Sequence, residues 1–203
     1  MIALAFTKTQ TIMKALSWRT LFAPRQSPAP PVAPARPLLR RVESQPRLGL
    51  REFDWNADAD IIAEWQRETY ALNFPDFGYT PEFAAAFRHD LRRAALDENN
   101  GLFVLSELDS HKGETLCGFV WIVLCHNNWT GERYGYINNL YVEPARRGQG
   151  LSDELLLYAE GWFRERRVTR LRLTVTSTNV AAYRLYERMG YTTQRFEMEK
   201  EID

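Results

Sequence analysis

The feature that most narrows the fold is a change of hydrophobic period around Pro144. Before it, Leu116 to Cys125 and Tyr134 to Val142 carry the dense apolar and alternating patterns of buried strands. After it, Leu151, Leu155, Leu156, Ala159, Trp162 and Phe163 recur at helical spacing on one face. A strand that passes within a few residues into an amphipathic helix implies a helix packed on a sheet, so an all-helical bundle and a pure β-sandwich are both excluded.

The same reasoning extends along the chain. Leu48 to Phe53 alternates as a strand, and Asp54 to about Asn73 places Ile61, Ile62, Trp65, Tyr70 and Leu72 at helical spacing, with Asp54, Asn56 or Asp58 available as cap. Asn73 to Gly78 is a break. Thr80-Pro81-Glu82 then offers an N-cap, a proline at the first helical position and an early acid, predicting a second helix to about Glu98. Three strands follow, at 102–107, 116–125 and 134–142, then the helix from Leu151 to about Arg166, a strand over 171–176, a helix from Val180 to Met189 stopped by Gly190, and a closing strand over 191–199. The order β-α-α-β-β-β-α-β-α-β predicts an α/β fold: one central mixed sheet with helices on both faces.

Charge divides the chain. Its 26 basic and 26 acidic side chains balance, but up to Arg47 eight basic residues face Glu43 alone. Seven of the ten prolines fall in the same stretch. Residues 1–47 are therefore expected to be a basic, proline-rich, disordered arm, and 48–203 a mildly acidic domain. An acidic domain lacks the surplus of Lys and Arg that replaces counterions on phosphates, so no nucleic-acid partner is expected. No run approaches the roughly 18 apolar residues of a membrane span, and a cytoplasmic location is expected. The two cysteines fit neither a disulfide framework nor a zinc site, and no metal is called for.

Chemistry concentrates between Leu140 and Ser152. Gly148 and Gly150 leave their backbone N–H groups sterically open, and the start of the Leu151 helix adds unpaired donors and the positive end of a dipole. Arg146 and Arg147 add charge. The result suits an anion the size of a pyrophosphate, although a strand–Gly-x-Gly–helix junction is also an ordinary tight turn. It is neither a Walker loop nor the dinucleotide Gly-x-Gly-x-x-Gly, because Asp153 stands in the last place.

Two linked motifs give this loop a context. Arg147-Gly148-Gln149-Gly150-Leu151-Ser152 resembles the Arg/Gln-x-x-Gly-x-Gly/Ala signature of the GNAT superfamily of acyl-CoA-dependent N-acetyltransferases, with Ser in the final place. The second block of that family, Asn-x-x-Ala-x-x-x-Tyr-x-x-x-Gly-Phe/Tyr, is matched by Asn179, Ala182, Tyr186, Gly190 and Tyr191. The resemblance covers about residues 48–203. It implies acetyl-CoA as cosubstrate, lying in a V opened between the strands at 134–142 and 171–176. It also implies transfer of an acetyl or similar short acyl group to a primary amine, by direct attack in a ternary complex.

By the same resemblance Leu140, Tyr141 and Val142 lie on a bulged strand facing the pantetheine and thioester carbonyl. The N–H groups of Arg147, Gly148, Gln149, Gly150, Leu151 and Ser152 would hold the pyrophosphate. Asn179 would hydrogen-bond the pantetheine arm while also capping its helix. Tyr186 maps to the general acid, with a core aromatic as the alternative role. Both customary places for a general base lack a carboxylate here: one is Thr174, the other Asn138-Asn139. Proton removal through ordered water is expected, with Asn138 positioning water or acceptor. Glu132 and Glu143 read as surface acids, Cys117 and Cys125 as inert core thiols. Tyr70, Phe74, Phe77, Tyr79 and Phe83, with Asp76 among them, are expected to wall a pocket for a cationic amine. A non-catalytic acyl-CoA-binding module is the alternative function, and monomer and homodimer are both open.

Overall fold

The computed structural model describes residues 40–42, 45–74, 76–109, 113–198, 200 and 202. Six strands form one sheet in sequential order: β1 (Arg40–Val42), β2 (Gln45–Glu52), β3 (Asn100–Asp109), β4 (Gly113–His126), β5 (Arg133–Val142) and β6 (Leu171–Arg172). The first five are antiparallel neighbours, and β6 joins β5 in parallel. The helices are α1 (Trp55–Asn73), α2 (Pro81–Ala94), α3 (Leu151–Glu165) and α4 (Val180–Arg188).

Strand alternation decides which helix each face receives. Leu102, Val104, Phe119 and Trp121 turn to one side, where Ile62 and Trp65 of α1 and Phe87 and Leu91 of α2 cover them. Phe103, Leu105, Val120 and Ile122 turn to the other and meet Leu151, Leu155, Leu156 and Phe163 of α3 and Leu185 of α4. Helices thus lie on both faces, as the element order implies. The helix starts also follow sequence: Asp54 Oδ1 accepts from the N–H groups of Asn56 (2.9 Å) and Ala57 (3.0 Å), and Thr80 caps α2 ahead of Pro81. Buried Asp58 receives both terminal nitrogens of Arg51, at 2.7 and 2.9 Å, which clamps the start of α1 to β2.

The structure departs from expectation in three places. Pairing reaches outside the expected domain boundary, because β1 and the first residues of β2 lie within the stretch read as an arm; the rest of that arm, residues 1–39, 43 and 44, lies outside the described residues. β6 spans two residues rather than six. The expected closing strand is not formed: residues 191–198 carry no strand, and Phe196 and Met198 are 88% and 92% exposed. Alternation gives a segment two faces but no partner, and the β6 edge it would have joined ends at Arg172.

Candidate active site

The candidate site adjoins the short β6. Parallel pairing joins Gly135 to Leu171 and Tyr136 to Arg172 and goes no further, while β5 continues to Val142. Gly135 permits this close approach, since a Cβ there would stand 2.5 Å from Leu171 Cδ2 and 2.7 Å from the Phe163 ring. Beyond the last pair, one link is a hydrogen bond from the Tyr136 hydroxyl to Thr174 Oγ1 (3.0 Å). Backbone pairing of β5 with β6 therefore ends within the stretch where the family resemblance puts a V.

At the opening, β5 carries a bulge. Trp121 pairs with Asn139 and Ile122 with Ile137, so Asn138 is the extra residue. The bulge resets the alternation, which is why Ile137 and Leu140 both join the α3 core while Tyr141 joins the α1 core. On the α1 side the Asn139 amide donates to Gln66 Oε1, and the Tyr141 hydroxyl donates to the Glu68 carboxylate. The Tyr141 ring stacks on Trp65 with centroids 4.8 Å apart. Burial, the first cause, and the carboxylate at Glu68 push the Tyr141 phenol well above its ordinary range.

The glycine loop follows directly. Gly148 (φ 75°) and Gly150 (φ 79°) both occupy the left-handed region, and a Cβ at either would meet open space within 4 Å. The glycines thus serve backbone conformation and leave the outer surface of the loop clear. The amides of Gly148, Gly150, Leu151 and Ser152 donate to no backbone carbonyl among the described residues, whereas the Arg147 amide closes the preceding turn onto Pro144 O (3.3 Å). Both arginine side chains are engaged elsewhere. Arg146 pairs with Glu107 at 3.2 Å, and Arg147 Nε donates to Val142 O (2.9 Å) with its guanidinium 5.6 Å from the Tyr141 ring centroid. The cradle is therefore built of main-chain donors at a helix start, and the residues present fit a diphosphate.

On the far side of the opening Asn179 does two things. Its Oδ1 accepts from the Ala182 N–H (3.2 Å), capping α4, and its Nδ2 donates to Asn73 Oδ1 (3.0 Å) at the end of α1. Tyr186 lies on α4, half-buried against the α3 core, and burial pushes its phenol up to about 12, with Tyr136 a smaller contributor. The hydroxyl of neighbouring Tyr191 is buried without a hydrogen-bond partner among the described residues. Arg188 holds Asp153 at 2.8 Å, which fixes the end of α4 to the start of α3.

The aromatic residues expected to wall an acceptor pocket do gather. Tyr70 lies 4.6 Å from Phe83, 5.4 Å from Phe77 and 5.3 Å from Phe74, and Tyr79 lies 5.2 Å from Phe83. Asp76 is exposed. Glu132 pairs with Arg170 (2.8 Å), as a surface acid would. Cys117 is buried and its thiol is raised to about 11, chiefly by burial, so it stays a neutral core group. The bond from Tyr141 to Glu68 is one that sequence reasoning missed: nothing in the α1 neighbourhood of Glu68 marks it, because Tyr141 lies 73 positions away.

Comparisons with known proteins identify the family and the fold. Among related sequences, the mycothiol acetyltransferase of Amycolatopsis mediterranei is 30% identical over 155 residues, covering 71% of this chain and 46% of the relative. The chain thus spans about half the length of the mycothiol enzymes it matches. The thialysine N-epsilon-acetyltransferase of Bos taurus is 26% identical over 70% of this chain and 71% of its own length. A putative acetyl transferase from Pyrococcus furiosus superposes with TM-score 0.59 at 27% identity, over 76% of this chain and 99% of that structure. A predicted acetyltransferase from Clostridium acetobutylicum, solved with acetyl-CoA, shares the fold at TM-score 0.61, with 14% identity over 76% of this chain and 96% of that one. The sequence profile of the acetyltransferase (GNAT) family matches residues 59–191, two-thirds of the chain, with both glycine-loop and Asn–Tyr blocks inside the match. The protein belongs to the acetyltransferase (GNAT) family.

Proposed function

We propose that this domain transfers an acetyl group from acetyl-CoA to a primary amine by direct attack in a ternary complex. The observation that carries the reading is the parting of β5 from β6 at Tyr136, immediately before the Asn138 bulge and one strand-length from the glycine loop. Acetyl-CoA supplies the acyl group as a thioester. The chain supplies the rest: the amides of Gly148, Gly150, Leu151 and Ser152 for the pyrophosphate, the open edge of Leu140, Tyr141 and Val142 for the pantetheine, and Asn138 at the bulge to position water or acceptor. Asn179 reaches the pantetheine by releasing Asn73 while its Oδ1 goes on capping α4.

Tyr186 acts as a hydrogen-bond donor to the departing sulfur. With its phenol up to about 12 and a thiol near 8.5, complete proton transfer would run uphill by roughly 5 kcal/mol, whereas donation of a hydrogen bond costs nothing of the kind. Because Asn138, Asn139 and Thr174 bear no carboxylate, proton removal runs through solvent, and the rate comes mainly from holding amine and thioester in register. The same lack of a carboxylate favours a second reading, an acyl-CoA-binding module without turnover. Titration calorimetry with CoA, followed by thiol release from acetyl-CoA across an amine panel, separates the two. Saturable binding with amine-dependent thiol release supports transfer; binding without release supports the module, and no binding refutes both.

A further inference from the structure

The side chains that β5 turns toward α1 change partners at the bulge. Tyr136 pairs across the sheet with Val123 and Asn139 with Trp121, and both of those residues belong to the core under α1, so Tyr134, Tyr136, Asn139 and Tyr141 share one face. Before the bulge this row holds the β6 chain. The Arg172 guanidinium lies 4.2 Å from the Tyr134 ring centroid, and the Tyr136 hydroxyl donates to Thr174 Oγ1 at 3.0 Å. After the bulge the row holds α1, through Asn139 to Gln66 and Tyr141 to Glu68. Tyr136 thus grips a residue two positions beyond the last backbone pair, at Arg172. Thr174 stands on the stretch 173–179 that leads to Asn179 and α4, and that stretch forms no strand. Leu173 packs only partly against the α3 core. With no backbone ladder to set its distance from β5, the stretch is tied by side chains, Tyr136 to Thr174 at one end and Asn179 to Asn73 at the other.

We propose that the Tyr136–Thr174 hydrogen bond is a positioning clasp. It sets how far the chain leading to α4 stands from the β5 bulge, and so the register of a thioester held at Asn138 against the Tyr186 hydroxyl. The bond lies at the surface, where water competes for both hydroxyls, so it adds little to folding stability. Once acyl-CoA and amine fill the opening, the pair is shielded, and a neutral hydrogen bond in drier surroundings is worth more. A reaction that depends on holding two groups in register is sensitive to displacements of an ångström or less, so loss of the clasp is felt in kcat. The proposal rests on the acetyltransferase reading above.

The test is a double-variant cycle on the full chain, with acetyl-CoA and whichever amine of the panel above releases thiol fastest from wild type. Tyr136→Phe and Thr174→Val each remove one partner of the same bond. Each should lower kcat about three- to tenfold, and the double variant should fall no further than the deeper single one. Thr174→Ser keeps the hydroxyl and should keep kcat within about twofold of wild type. CoA affinity by calorimetry and the urea midpoint should stay near wild type in all four, because the backbone pairs at Gly135 and Tyr136 remain. The clasp moves no proton, so the shape of the kcat–pH profile should not change. Unchanged kcat in both single variants, or losses that multiply in the double one, overturns the clasp and leaves the acetyltransferase reading standing. A loss confined to Tyr136→Phe, with an altered pH profile, overturns it too, since that marks a hydroxyl acting on the substrate itself. So does a loss of kcat that tracks a fall in the urea midpoint. Wild type that binds no CoA, or releases no thiol with any amine, removes the underlying reading and this proposal together.

Discussion

Asn179 joins a helix cap and a long-range contact in one side chain, to which the proposed function adds cosubstrate binding, and its parts can be separated. Replacement by Ala removes the Oδ1 cap on the Ala182 N–H, worth about 1 kcal/mol, and the 3.0 Å bond to Asn73, worth about another 1 kcal/mol. Asn179→Ala should therefore cost roughly 2 kcal/mol, which for a domain of this size lowers Tm by about 4–8 °C. Asn179→Ser keeps a capping hydroxyl and should cost about half as much. Urea unfolding of Asn73→Ala, Asn179→Ala and the double variant gives the coupling directly, expected near 1 kcal/mol at unchanged m. A coupling below about 0.3 kcal/mol, or equal costs for Ser and Ala, would refute the two-part account. Binding adds a further discriminating sign: Asn73→Ala frees the Asn179 amide and should leave CoA affinity equal or higher, whereas Asn179→Ala should weaken it.

Other consequences are simpler to state. Gly150→Val forces a β-branched residue to φ 79°, so stability should fall by at least about 1–2 kcal/mol in urea unfolding, and calorimetry should show a larger loss of CoA affinity than Asn179→Ala gives. Tyr186→Phe should lower kcat by roughly 10–100-fold with little change in KM for the amine; an unchanged kcat in steady-state thiol release would remove the hydrogen-bond role. The folded state raises the Tyr186 phenol to about 12 from an ordinary value near 10, so its contribution of roughly 3 kcal/mol is complete below pH 10 and is lost as pH rises through 12. Urea midpoints measured from pH 9 to 12 should fall less steeply for Tyr186→Phe than for wild type. Gly135→Ala should cost about 1–3 kcal/mol through overpacking against Phe163 and Leu171, visible as a lower Tm.

Much of the fold is local information. The period-two runs at β3, β4 and β5, the caps at Asp54 and Thr80, and the helical spacing from Leu151 to Phe163 each fix an element through neighbours a few residues away, and the glycine loop announces its left-handed turns by composition. What the sequence determined by itself was therefore the order of elements from β2 to α4, the glycine loop and the two motifs that lie within the family match. Tertiary structure alone decided that β6 stops at Arg172, that the 191–198 segment forms no strand, that Asn138 is the bulged residue, and that Arg146 pairs with Glu107 while Arg147 donates to Val142 O. It also decided the partners Tyr141–Glu68 and Asn179–Asn73, which join residues 73 and 106 positions apart. Periodicity reports which side of an element is apolar; it carries no record of which distant polar atom will stand within 3 Å once the sheet has twisted and the helices have packed.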